Sequence, residues 1–287
     1  MTYHTRKNLN KIKYHEVVFT ENTRFPYVNR DFTGVFSGRF GKLFVVARGI
    51  GEEGCEEISQ LAVETIIDFF DQLPEKYNSS AAIKQAFTTA TKEVLSLTTK
   101  NSTLSSCCAS VVLLLINISG VYIAHAGDCR VMLIQEGKIS SLTEDHFSVK
   151  EVSGFINSKV SVKLPIISNT IGLSKVEPEI LEDIQLFKDD LVLIMTKGVY
   201  QRVARQEMLK AFNCKKLSEG IVNLWNFAKD KKSNDDFTII GLKITKAPPI
   251  PIDPAVYRKE MNRLFLNLSL FLGSLILLFF TIYPMVF

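Results

Sequence analysis

From Leu264 to Phe287 the chain carries no charged residue, and Leu, Phe and Ile dominate the run. A stretch of about 20 apolar residues is long enough to cross a bilayer as a helix. A buried core helix of that length would be expected to keep a polar face, so this reading outweighs a buried C-terminal helix. Arg258, Lys259 and Arg263 stand just before the run. Basic residues hold their side of a span in the cytoplasm, so the expectation is a single-pass, tail-anchored protein of the inner (cytoplasmic) membrane with its soluble part in the cytoplasm. Between the two parts lies KAPPIPIDPAVY, Lys246 to Tyr257, whose four prolines disfavour helix and sheet and suit an extended spacer. The domain plan is therefore 1–245 globular, 246–257 linker and 258–287 transmembrane anchor.

The soluble part has a mild charge, +4 over the whole chain, and no dense basic patch interleaved with aromatics. A nucleic-acid partner is not expected. The five cysteines (Cys55, Cys107, Cys108, Cys129, Cys214) form no CxxC pair and have no histidine at zinc spacing. That odd, scattered set suits reduced thiols better than a disulfide framework. The polar N-terminus lacks the apolar core of a signal peptide.

Periodicity gives a mixed α and β chain. LFVVA, Leu43 to Ala47, is a short β-branched run that ends near a glycine cluster and reads as a buried strand. Apolar residues at Ile58, Leu61, Ala62, Ile66, Phe69, Phe70 and Leu73 repeat at helical spacing, as do Ile83, Ala86, Phe87, Ala90, Val94 and Leu95. Strands fit 110–116, 121–125, 131–135, 191–195 and 237–244, with a hairpin turn at Asn117 to Gly120. Further helices fit 206–212 and 217–228. Helices set between groups of strands predict an α+β protein with helix-covered sheets, and not a doubly wound parallel fold.

Five segments, in order, resemble the metal-dependent serine/threonine phosphatases of the PPM (type 2C) family, in their bacterial form. They are Asn29-Arg30-Asp31, LFVVARGIGEEGCEEISQLAVETI (Leu43 to Ile66), IAHAGDCRVMLIQEGKISSLTEDH (Ile123 to His146), KDDLVLIMTKG (Lys188 to Gly198) and DDFTIIGL (Asp235 to Leu242). The resemblance covers about Phe19 to Ile244. It implies a four-layer α-β-β-α sandwich with two metals, usually Mn²⁺ or Mg²⁺, in a cleft at one end of the sheets. Two such cations sit roughly 3.5–4 Å apart and take oxygen ligands, mainly carboxylates and water.

Carried over by position, the family's roles give a mixed set. The aspartate that bridges both metals falls at Arg48, and Gly49 keeps the glycine after it. A second ligand aspartate falls at Lys197, between Thr196 and Gly198. Asp235 is kept, while its asparagine partner is Asp236. Asp31 is kept, with Arg30 where the family has glutamate. Asp128, with Arg130, keeps the turn tied to an accessory metal. The phosphate-binding arginine has no match; Pro26 stands there, with Arg24 close by. At ~4 Å two unit charges repel by about 4 kcal/mol at a dielectric of about 20, and a divalent ion doubles that. With cations at 48 and 197, metal sites built from Asp31, Gly49, Asp128 and Asp235 are disfavoured. Arg48 and Lys197 are expected to pair with the remaining aspartates. No cofactor is expected on this reading.

The resemblance and its departures together imply a pseudophosphatase. It would act as a phosphoprotein-binding or regulatory module, with a phosphoprotein or protein kinase as partner and Arg30, Arg48 and Lys197 as possible anion contacts. The alternative is an active phosphoserine/phosphothreonine phosphatase with an altered Mn or Mg site. His125 and His146 read as structural or surface groups, Cys129 as a structural thiol, and Asp189 and Asp190 as a solvated turn. Lys229 to Lys232 reads as a solvated loop, and Glu52 and Glu53 as exposed groups or partners of Arg48.

Overall fold

The structure is a computed structural model, and it describes residues 12–23, 27–51, 54–153, 161–173, 175–233 and 235–247. The chain divides into two compact units, Met1–Pro248 and Pro249–Phe287. The second unit, with most of the proline-rich segment and the apolar run, lies outside the described residues. So do Arg24, Pro26, Glu52 and Glu53. Among the described residues no helix is long and apolar enough to cross a membrane.

In chain order the strands are β1 (Lys13–Glu21), β2 (Asp31–Gly38), β3 (Gly41–Ile50), β4 (Cys108–Ile116), β5 (Val121–Ala126), β6 (Arg130–Gln135), β7 (Lys138–Ser141), β8 (Phe147–Ser153), β9 (Ser161–Ile167), β10 (Glu179–Leu181), β11 (Leu191–Met195) and β12 (Phe237–Lys246). The helices are α1 (Cys55–Asp71), α2 (Ser79–Lys100), α3 (Lys197–Tyr200), α4 (Arg205–Ala211) and α5 (Leu217–Ala228). One five-stranded sheet has the order β1-β12-β11-β6-β7 and the other β10-β5-β4-β3-β2. All their pairings are antiparallel. β8 and β9 form a separate hairpin.

The apolar strands are continuous because both of their faces are covered. On β3, Phe44 and Val46 join Val112, Leu114, Ile194, Ile240 and Leu242 in a core between the sheets. The alternate residues Leu43, Val45 and Ala47 pack with Ile58, Ile66, Phe87 and Val94 of α1 and α2. On the far side Leu193, Met195 and Ile239 pack with Met208, Ile221 and Leu224 of α4 and α5. A strand buried on both faces needs no polar alternation, which is why LFVVA and LVLIM read as unbroken runs. The result is four layers, helix-sheet-sheet-helix, in an α+β fold.

Two readings from sequence are corrected. Cys55 and Cys107 form a disulfide, with Cα atoms 5.4 Å apart and a sequence separation of 52. The α1–α2 pair folds back over β3 and β4, so the start of α1 meets the lead into β4; sequence spacing does not show this return. Asp190 is not a solvated turn residue but is buried. Its Oδ2 accepts from Gln135 Nε2 at 2.9 Å and from the Phe187 N–H at 2.7 Å, which ties the entry of β11 to β6.

Candidate functional site: a charged cleft at the sheet ends

Antiparallel pairing brings alternate strand starts and strand ends to the same edge. Asp31 opens β2, Arg48 lies near the end of β3, and Asp128 lies in the β5–β6 turn. Lys197 follows β11, and Asp235 and Asp236 precede β12. The register places Asp31 opposite Arg48, and Arg48 opposite Ser110 of β4. On β3 the residues alternate in facing, so Arg48 continues the row of Phe44 and Val46 into the layer between the sheets. It is the charged end of a hydrophobic row, and it is buried.

The Arg48 guanidinium bridges two carboxylates. Nη2 donates to Asp128 Oδ2 at 2.6 Å and Nη1 to Asp235 Oδ1 at 3.1 Å. Its Nε is buried without a hydrogen-bond partner. Burial alone would loosen the Arg48 proton, but the Asp128 and Asp235 charges outweigh it and hold the proton more firmly than usual. Lys197 Nζ stands 3.9 Å from the same Asp128 oxygen, with a quarter of its side chain exposed.

Asp128 is held rigidly. Ser110 Oγ accepts from the Asp128 N–H at 2.7 Å and the Cys129 N–H at 2.8 Å. Gly127 takes φ +105°, and a Cβ there would lie 2.5 Å from Ser110 Oγ, so only glycine fits. Tyr200 Oη donates to the Asp128 carbonyl at 2.8 Å. Arg130 lies over the Tyr200 ring at 3.6 Å and grips Asp145 through Nε and Nη2 at 2.6 and 2.8 Å. Cys129 is a buried free thiol, as the structural reading expects.

The other carboxylates have separate partners. Asp236 accepts the Thr23 N–H at 3.2 Å and the Arg30 N–H at 2.9 Å. Asp31 Oδ2 accepts from Thr196 Oγ1 at 2.7 Å, and its Oδ1 is buried without a hydrogen-bond partner. Burial pushes the Asp31 carboxyl up to about 7, against the pull of the Thr196 and Thr238 hydroxyls. Arg30 donates from Nη1 to the Gly51 carbonyl at 2.8 Å. Gly49 packs so closely that a Cβ would lie 2.1 Å from the Cys55 carbonyl oxygen.

Arg48, Asp128, Asp235 and Lys197 thus meet in one group, with Asp31 beside it. Arg30 and Asp236 meet through the Arg30 backbone. One participant had no sequence signal. Arg202 is buried and donates to the Asp235 carbonyl and Thr23 Oγ1, both at 2.8 Å, fixing the strand end that carries Asp235. It sits in a polar stretch after α3, where nothing marks one arginine from another.

The chain is similar to several known proteins. A family model described as Protein phosphatase 2C matches residues 40–152. The serine/threonine phosphatase stp of Listeria monocytogenes is 24% identical over 233 residues, covering 77% of this chain and 92% of the relative. Protein phosphatase 1B of Rattus norvegicus is 22% identical over 178 residues, and that match spans only 45% of the rat protein. Among solved structures, the S. agalactiae serine/threonine phosphatase superposes with a TM-score of 0.69 at 17% identity, covering 81% of this chain and all of the other. The catalytic domain of the phosphatase PstP, solved with two manganese ions, superposes with a TM-score of 0.64 at 17% identity, over 82% and 99%.

Proposed function

Because this chain carries a domain of the protein phosphatase 2C (PPM) family, we propose that it is a pseudophosphatase of that family, a phosphoprotein-binding or regulatory module whose cleft is closed to paired divalent metals. One observation carries the reading: the Arg48 guanidinium bonded to both Asp128 and Asp235. Manganese or magnesium would need those carboxylate oxygens. The residues present do not fit the metal pair, since cations stand at both positions 48 and 197, the Arg48 guanidinium occupies Asp235 and Asp128, and Lys197 adds a second positive charge 3.9 Å from Asp128.

The same cleft favours one phosphoryl contact over the others. Arg48 is buried with both terminal nitrogens turned to carboxylates, and the Arg30 guanidinium donates to Gly51. Lys197 keeps ammonium donors and some exposure, so it is the contact for a phosphorylated side chain. The apolar run from Leu264 fits a membrane anchor, and the basic residues before it fit a cytoplasmic domain.

The test is an assay of the full chain in detergent, with Mn²⁺, on a phosphopeptide and a small phosphate ester. Binding of the phosphopeptide, weakened by Lys197→Ala, with no metal-dependent turnover, supports the reading. Turnover that requires Mn²⁺ would replace it with an active phosphatase using an altered site.

A further inference from the structure

His125, His146 and Glu179 meet one turn away from Asp128. The two rings stack with centroids 4.5 Å apart and planes inclined by 17°. Each Nε2 lies 3.4 Å from the same oxygen, Glu179 Oε2. The three groups invite a metal reading, because 3.4 Å is about the edge of a ligand tetrahedron with bonds of roughly 2.1 Å.

The hydrogen bonds of His146 point elsewhere. Its Nδ1 accepts from the Gly127 N–H at 3.2 Å. It also faces Asn169 Nδ2 at 3.0 Å. The Asn169 amide cannot be turned round, since its Oδ1 accepts the Glu177 N–H at 2.8 Å and its Nδ2 donates to the Glu177 carbonyl at 2.6 Å. Two donors aimed at Nδ1 leave the ring proton on Nε2, where it faces the Glu179 carboxylate. A metal at Nε2 would force that proton onto Nδ1, against both N–H groups.

The backbone of His146 adds two more ties. Its N–H donates to the Gly127 carbonyl at 2.9 Å, and its carbonyl accepts the Ser168 N–H at 2.8 Å. The Phe147–Ile167 pair begins the β8–β9 ladder, so His146 and Ser168 close the base of that hairpin. His146 therefore grips the Gly127–Asp128 turn twice, through its ring at the Gly127 N–H and through its backbone at the Gly127 carbonyl.

We propose that His146, fixed as its Nε2–H tautomer by Gly127, Asn169 and Glu179, is a positioning residue that sets the Asp128 turn and joins the β8–β9 hairpin to it, and is not a metal ligand. This holds whatever the charged cleft binds, because the His146 contacts it rests on, to Gly127, Asn169, Glu179 and Ser168, do not involve Arg48 or Lys197.

The test uses the full chain, ¹⁵N-labelled in detergent. Long-range ¹H–¹⁵N spectra at neutral pH are expected to show His146 protonated at Nε2 and unprotonated at Nδ1, unchanged by one equivalent of Zn²⁺. His146→Asn keeps an acceptor near the Nδ1 position, and His146→Leu keeps bulk without one. The Asn variant should hold the slow exchange of the Gly127 and Asp128 amides, while the Leu variant speeds it roughly tenfold, as for loss of one hydrogen bond. Amides of the β1–β12 ladder should not change in either. A proton on Nδ1, a Zn²⁺-induced shift at His146 Nε2, or equal exchange in the Asn and Leu variants would overturn the proposal. The tautomer is read on the unaltered chain, so it stands as a test even where a variant fails to fold.

Discussion

Arg48 Nη2 lies 2.6 Å from Asp128 Oδ2, with side chains 7% and 0% exposed. A full positive charge thus sits at the end of an otherwise hydrophobic row on β3, facing a carboxylate that solvent does not reach. A buried pair of this kind is weak evidence for high stability, but removing one partner leaves the other charge stranded.

Arg48→Ala is therefore expected to lower the unfolding free energy by roughly 3–5 kcal/mol. Asp128 would lose its nearest cation and Asp235 its link to the guanidinium. Denaturant titration checks this, and a midpoint equal to wild type would remove Arg48 from its structural role.

Asp31 should make the protein less stable as pH rises. Its folded carboxyl is pushed up to about 7 from an ordinary 3.8. Between those values the folded state keeps a proton that the unfolded chain releases. The contribution is complete below about 3.8 and is lost as pH rises through about 7. Asp31→Asn should flatten that slope in a series of thermal melts from pH 4 to pH 8, and an unchanged slope would refute the assignment.

Ser110→Ala should strand two buried N–H groups, those of Asp128 and Cys129. Each lost partner costs about 1–3 kcal/mol. The expected sign in amide exchange is faster loss of both hydrogens, with β11 and β12 unaffected.

Cys55→Ser should destabilise by about 4 kcal/mol, on the chain-entropy account for a 52-residue separation. Thiol counting on the unfolded chain, with and without reductant, checks the pairing itself; five reactive thiols without reductant would contradict it.

Much of the fold was legible because apolar runs mark strands buried on both faces. The expected strand at 191–195 and helix at 217–228 coincide with β11 and α5. β1 and β2 were not anticipated. KYHEVVFTE mixes charges with apolar residues because β1 is a half-exposed edge, and DFTGVFSG carries two glycines that weaken any strand signal. In the cleft, Arg48 and Lys197 stood out because the resemblance expects carboxylates at those strand ends. The Cys55–Cys107 pairing and the burial of Asp190 and Arg202 depend on where distant segments return, which local sequence does not encode.

On the proposed reading, the Arg48 guanidinium stands where the family resemblance expects a bridging metal ligand. Calorimetric titration of the full chain with Mn²⁺ tests this most directly, beside the double variant Arg48→Asp, Lys197→Asp. No heat of binding is expected at the cleft for the wild-type chain, and measurable binding is expected in the double variant with carboxylates at both positions. Stoichiometric, tight Mn²⁺ binding by the wild-type chain, abolished by Asp128→Asn or Asp235→Asn, would contradict it.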